Sequence, residues 1–456
     1  MKNLKTGLLL GCSLILGGCL ETDEDSFSNQ RGIVCSPEQI DMAIQTVASD
    51  YTSSAVAIGC SEGGFLDGNL IKEGSDYTVS AGSERLYHIG RNYIDTVAQY
   101  DFLLTDIENW SYSANDADES TSNPYKLIEV SDTKAYLIRY NKSKVWIVNP
   151  SALNAEDFKT GELDLSAYLS NTVIQVPTLD NDGNEIFKLD DNDQKIQETD
   201  YEGNPVFETV DGQEVAKYEI ITEDKSVTAT ATDMSDAVIV NGKLYIAMQR
   251  LRNGATGEGQ YGPYDVRSYT NDSLVAVFDI TTDVELEASP TDENFKAIKL
   301  SGHNVQSLNV LNDNIYAASQ GDYYQDFGLL EVINTTDYSV NTLIQGTDEI
   351  GAIKDASVVS ATQGYVLTDL SGYVDDVWTP KHKLFPFNPS TGQMDSVMSD
   401  FDTIFLTDIE VGPNGYLWVL SSVSSNPGVY KVDSTGSEEN LFLETNLNPS
   451  KITFKK

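Results

Sequence analysis

Basic residues, histidine and sulfur are all scarce in this chain. Against 71 Asp and Glu stand only 29 Lys and Arg, for a formal net charge of −42. That excess excludes nucleic acid and anionic lipid headgroups as natural partners and leaves cations, basic proteins and neutral solutes. The three histidines, His88, His303 and His382, are far apart, and no Ser/His/Asp grouping can be assembled from their spacing. The four cysteines form no CxxC pair and no Cys/His cluster, which argues against a structural zinc site. Gly59-Cys60-Ser61-Glu62-Gly63 matches the G-x-S-x-G string, but a glycine-rich stretch follows it instead of the helix that a nucleophile elbow needs. Beyond residue 16 there is no long apolar run.

The one apolar run belongs to a leader. Lys2 and Lys5 precede Leu8 to Leu16, a segment too short to span a bilayer stably, and Leu16-Gly17-Gly18-Cys19 follows. This ending resembles the lipobox of bacterial lipoproteins. The resemblance implies a signal peptide at 1–18, lipidation of Cys19 (palmitate included), and an acidic flexible tether at 19–35. Leu20, where an aspartate would favour inner-membrane retention, points to the outer membrane, on either its periplasmic face or the cell surface. With Cys12 removed and Cys19 acylated, Cys35 and Cys60 remain in an oxidising compartment and are expected to form a disulfide.

A repeat of about fifty residues runs through the rest. Each unit has a short apolar strand, an Asn, Asp or Gly turn, a second strand centred on an aromatic, a variable loop, and a third strand ending near Asp or Asn. One copy runs from Asp236-Ala-Val-Ile-Val240 through Asn241-Gly242 to Leu244-Tyr245-Ile246-Ala247, then Ser273-Leu-Val-Ala-Val-Phe-Asp279. Others begin near Asp76, Lys126, Gln306, Asp355 and Asp408. The chain ends supply a seventh: Pro449 to Phe454 reads as a lone first strand, and Ile44 to Ala48, Ser54 to Gly59 and Phe65 to Ile71 read as its second, third and fourth. Joining them closes a ring and hides the sheet edges. The pattern predicts an all-β, seven-bladed β-propeller over 36–456. Its "Asn-Gly-x-Leu-Tyr" second strand and "Val-x-Val-x-Asp" third strand resemble the YncE-like propellers of exported bacterial proteins.

That fold sorts the candidate residues. First-strand starts (Asp76, Lys126, Asp236, Gln306, Asp355, Asp408, Lys451) and second-strand ends (Arg91, Tyr140, Gln249, Gln320, Asp369) are expected around one mouth of the central channel. Asp76, Asp236, Asp355 and Asp408 form a candidate oxygen-ligand set for Ca2+; Arg91, Gln249 and Gln320 are candidate ligand contacts. Long loops on the same face carry Tyr261, Tyr264, Tyr269, Tyr323, Tyr324, Tyr373 and Trp378, and another, 108–122, carries Trp110 and Tyr112. Such rings give large contact area at low entropy cost, which suits recognition. An insertion at 176–225 holds Asp/Asn/Gly turns about ten residues apart and is expected to form β-hairpins or a flexible acidic flap.

No catalytic residue emerges. The reading is a non-enzymatic, monomeric binding or scaffolding lipoprotein whose top face engages a small polar ligand or an envelope protein. What YncE-like proteins imply adds an accessory role in nutrient uptake. The alternative is a metal-dependent propeller hydrolase or lyase that uses the channel-mouth carboxylates.

Overall fold

Alternating apolar residues bounded by turn formers make each repeat an antiparallel meander, four-stranded in six of the seven blades. The turn chemistry is visible at Asn241-Gly242, where both residues have positive φ, 51° and 74°, as the tight hairpin turn between right-twisted strands demands. A computed structural model describes residues 35–456 apart from 37–38, 103, 118–120, 200–202, 211–212, 252–270, 290–294, 322–326, 375–376, 402–404, 423–426 and 433–441. The leader, Cys19 and most of the tether lie outside the described residues, as do Tyr261, Tyr264, Tyr269, Tyr323 and Tyr324.

The strands form a seven-bladed β-propeller. Blade 1 spans 77–113, blade 2 124–164, blade 3 234–303, blade 4 305–345, blade 5 352–387 and blade 6 406–444. Blade 7 is composite: Asn448–Phe454 pairs with Met42–Val47, followed by Ser53–Gly59 and Phe65–Glu73. The C-terminal strand is its innermost, packed between the first strands of blades 6 and 1. Blade 5 has three strands.

Stability comes from the seams between blades. The second-strand aromatics Tyr87, Tyr136, Tyr245, Tyr316, Tyr365 and Trp418 are all buried. Two of them latch their blade to the next, since Tyr87 donates to Glu129 and Tyr136 to Asp283, both at 2.6 Å. Trp110 and Tyr112 belong to these seams too. They lie in the outer strand of blade 1, Leu104–Ser113, stacked at 4.8 Å and packed on Phe158, so the loop expected there is a strand. Alternation and burial, rather than recognition, placed these rings.

The insertion between blades 2 and 3 is built of hairpins. Asn171–Pro177 pairs with Thr222–Thr228 as a stem, and beyond it isolated bridges recur at a ten-residue interval: Leu179 to Glu185, Leu189 to Lys195, Thr199 to Pro205. Asp180 and Asp190 each shape their turn by accepting two backbone N–H groups with one carboxylate oxygen. That oxygen of each aspartate is thus committed to turn formation.

Cys35 and Cys60 form a disulfide with Cα atoms 6.2 Å apart. It staples the segment before the first strand of the chain to the third strand of blade 7. Replacing both cysteines by serine is expected to lower stability by about 3 kcal/mol, the loop-closure value for a separation of this size. Urea unfolding of the two forms checks this, and equal midpoints would refute it.

Candidate functional site

The top of the propeller is where each second strand ends and each next first strand begins. A β-bulge near the start of the first strand, in six of the seven blades, sets which side chains face the mouth. The pairing skips one residue at Tyr125, Ser235, Gln306, Lys354, Thr407 and Ser450. Because a bulge adds a residue, it puts neighbouring side chains at two levels.

The upper level is a cavity of about 330 Å³ lined by Arg91, Asn123, Tyr125, Tyr140, Gln249, Leu251, Asn304, Gln306 and Gln320. It draws on four consecutive blades, 1 to 4, and so lies to one side of the ring. Arg91, Gln249 and Gln320, named from the sequence as ligand contacts, are brought together here. The Arg91 guanidinium stacks 4.3 Å from the centroid of Tyr125. Tyr125 and Tyr140 have centroids 5.7 Å apart, and the Tyr140 hydroxyl donates to Gln249 Oε1 at 2.6 Å. Among the described residues no carboxylate lines this cavity.

Asn123, Tyr125 and Asn304 escaped the sequence reading. Asn123 and Asn304 immediately precede first strands and have φ of 47° and 59°. Their carbonyls accept the N–H groups of Tyr140 and Gln320 at 2.9 and 3.0 Å. A usable signal was the Asn before each strand, because Asn tolerates the left-handed conformation better than most residues.

The lower level is a chain of charges on the first strands. Lys126 binds Asp236 Oδ1 at 2.6 Å, and Asp236 Oδ2 accepts the Leu308 N–H of the next blade at 2.8 Å. Ser307 donates to Asp355 at 2.5 Å; Lys451 binds Asp408 Oδ1 at 2.9 Å, and Ile452 N–H donates to Asp408 Oδ2 at 3.0 Å. These aspartates tie one blade to the next. Gln306, expected in register with them, is the bulged residue and faces the cavity above; Ser307 takes its place.

The expected Ca2+ set is therefore not assembled. Asp76 precedes its strand and is exposed, using its carbonyl to accept the Arg91 N–H at 2.8 Å, while Asp236, Asp355 and Asp408 hold lysines, a hydroxyl and backbone amides. Among the described residues no group of three or more His, Cys, Asp or Glu is arranged to hold a metal. Asp369 also lies outside the cavity, on blade 5, 3.6 Å from His382 Nε2.

Burial pushes the Asp355 carboxyl up to about 7, with Asp408 adding repulsion. A carboxyl raised above its unfolded value of 3.8 keeps its proton better in the folded state, so it makes stability fall as pH rises from about 4 to about 7. Asp355→Asn keeps the acceptor for Ser307 and removes the titration. We expect it to flatten the decline between pH 5 and pH 8 and to raise the unfolding midpoint at pH 8. Urea titrations at both pH values test this, and parallel pH profiles would rule it out.

The histidines and Ser61 are held by neighbouring groups. His88 is buried, with Nε2 3.1 Å from Gln45 Oε1 and its ring 4.8 Å from that of Tyr77. Burial lowers its pKa to about 3, with Lys72 adding to the effect, so it is neutral. His303 pairs with the Asn271 carbonyl, and His382 with the backbone of Leu406. Ser61 is held by Asp41, to which its N–H and hydroxyl donate at 2.7 and 2.6 Å, and Cys60 beside it is in the disulfide. Neither is set up as a nucleophile. Tyr373 and Trp378 pair through their backbones in a small hairpin of Gly372–Val374 with Val377–Thr379, on a top loop of blade 5.

No protein-family model matches the chain, and no curated protein matches its sequence. Solved structures do match. A putative 6-phosphogluconolactonase from Bacteroides fragilis superposes with a TM-score of 0.53 at 11% identity, covering 92% of this chain and 99% of its own. Another, from Bacteroides uniformis, gives 0.51 at 10%, covering 91% and 99%. AztD from Citrobacter koseri gives 0.45 at 10%, covering 91% and 98%. What this likeness establishes is the fold, a β-propeller that runs through nearly the whole chain.

Proposed function

We propose that this chain is a binding propeller, tethered to the outer membrane through Cys19, whose top cavity takes a small polar solute. One observation carries the reading. In a chain with 71 acidic residues, the described residues that line the cavity at the mouth are carboxamides, two phenols, one leucine and one guanidinium, with no acid among them. Convergent polar groups in a concavity of this size are the usual makings of a small-ligand site.

The tether rests on the lipobox resemblance, and an envelope role, as accessory to uptake, on the YncE-like repeats. The metal-dependent hydrolase has no assembled ligand set to support it among the described residues.

Thermal unfolding of the mature chain against a panel of neutral and anionic hydroxylated solutes tests the cavity. A solute that stabilises the wild type should stabilise the Gln249→Ala, Gln320→Ala double variant far less. Equal shifts in both proteins would place binding elsewhere. For the anchor, palmitate labelling should mark the wild type and vanish in Cys19→Ser; equal labelling of the two would reject it.

A further inference from the structure

We propose that the top cavity recognises a hydroxylated monocarboxylate, with the carboxylate at Arg91 and a hydroxyl donated to Asn123. This rests on the reading of the cavity as the ligand site and names the chemistry it selects.

Two buried polar atoms carry the inference. Arg91 Nε and Asn123 Oδ1 are both buried without a hydrogen-bond partner, and both residues line the cavity. Leaving such a group unsatisfied is costly, and more so when the group itself is charged. Buried orphans are uncommon in folded proteins, and two of opposite character, a donor and an acceptor, belong to residues that line this one cavity.

Neither side chain is placed by chance. Arg91 lies just past the second strand of blade 1, Arg85–Gly90. Its N–H donates to Asp76 O at 2.8 Å, and its carbonyl accepts from Ile94 and Asp95 at 2.8 and 2.9 Å. The stack on Tyr125 at 4.3 Å then fixes the guanidinium plane. Asn123 is locked in the same way. Its N–H donates to Asp95 Oδ1 at 2.7 Å, its carbonyl accepts from Tyr140, and its φ is 47°.

The orphans differ in kind, and that difference specifies the ligand. Arg91 offers N–H donors and a positive charge, so it wants an anionic acceptor, which carboxylate geometry suits. Asn123 Oδ1 is an acceptor and wants a hydroxyl. Tyr140 already occupies the oxygen of Gln249, so what Gln249 has left to offer is N–H. A single molecule carrying a carboxylate and hydroxyl groups satisfies all three.

The charge must be single. One guanidinium is found among the described lining residues, while Asp236 and Asp408 on the first strands are already paired with Lys126 and Lys451. A second negative charge on the ligand would have no guanidinium of its own among those residues. The volume of about 330 Å³ suits a compact solute of monosaccharide size.

Calorimetric titration of the mature chain with matched pairs, glucuronate against glucose and galacturonate against galactose, isolates the carboxylate. We expect at least one uronate to bind ten-fold or more tightly than its neutral partner. Arg91→Gln should erase that ratio, and Arg91→Lys should keep part of it. Asn123→Gly, which accommodates the positive φ while deleting the acceptor, should weaken acid and neutral sugar alike. Unchanged unfolding midpoints would certify that the variants are folded. Equal binding of acid and neutral sugar, or a ratio untouched by Arg91→Gln, would overturn the inference. The cavity reading would survive such a result if Gln249→Ala still weakened the neutral sugar. Absence of binding by every uronate at millimolar concentration would also overturn it.

Discussion

A chain ending at residue 447 is expected to lose cooperative unfolding altogether. The nine residues removed include Asn448–Phe454, the innermost strand of blade 7 and the link that closes the ring. Three losses coincide. Ile452 leaves the core shared by Met42, Ile44, Ala57 and Trp418, and Met42–Val47 becomes an open edge beside the channel. The ties of Lys451 to Asp408 and of Lys455 N–H to the Asp41 carbonyl go as well. A domain holds only about 5 to 15 kcal/mol in reserve, and opening a ring removes an amount of that order. Circular dichroism and tryptophan fluorescence during urea unfolding are the measurements. A single sigmoidal transition with the wild-type slope would show that blades 1 to 6 stand without closure, and would contradict the prediction.

Asp408→Ala should be the most damaging single change on the first-strand ring, at about 3 kcal/mol. Alanine leaves the Ile452 N–H without its acceptor and Lys451 without its counter-ion. The first loss costs about 1 to 3 kcal/mol and a bond to a charged group about 1.5 to 3. Lys451 keeps 40% of its side chain exposed, against 7% for Asp408, so part of the second cost is relieved by solvent. A double-mutant cycle with Lys451→Met separates the two. If the pair matters, Lys451→Met should lessen the cost of Asp408→Ala; strict additivity would reduce Asp408 to an acceptor for the backbone. Asp408→Asn, which can still accept from Ile452, should fall between wild type and Ala.

These two predictions draw on different levels of the molecule. The ring closure was legible in the residues, because Pro449 to Phe454 reads as a strand without a hairpin partner and Ile44 to Ile71 as three strands lacking a first. The role of Asp408 was not. From spacing, four aspartates at strand starts look like a ligand set, and only the neighbouring blade shows that Lys451 and the Ile452 N–H take up the Asp408 oxygens. The bulge hid the register in the same way. Gln306 and Asp355 occupy similar places in the sequence repeat, yet the skipped pairing sends Gln306 to the cavity and leaves Ser307 beside Asp355. Aromatic rings misled for a related reason: the sequence places Trp110 and Tyr112 on a loop, but they lie in a strand and pack on Phe158 of the next blade.

Sequence alone determined what is local and repetitive. Strand period, Asn-Gly turns and the return of one pattern along the chain specify a blade, and a blade that cannot bury both faces must stack on its neighbours. The pairing of Cys35 with Cys60 was also expected from the sequence, and the two form a disulfide. Tertiary structure decided what depends on residues roughly fifty or more positions apart meeting at one end of the ring. The cavity spans blades 1 to 4, and the pairing of Lys126 with Asp236 joins blades 2 and 3. So does the bond from Tyr140 to Gln249. Such contacts are set by blade geometry and by single-residue bulges, which shift a side chain from one level to another without changing the hydrophobic pattern that encodes the fold.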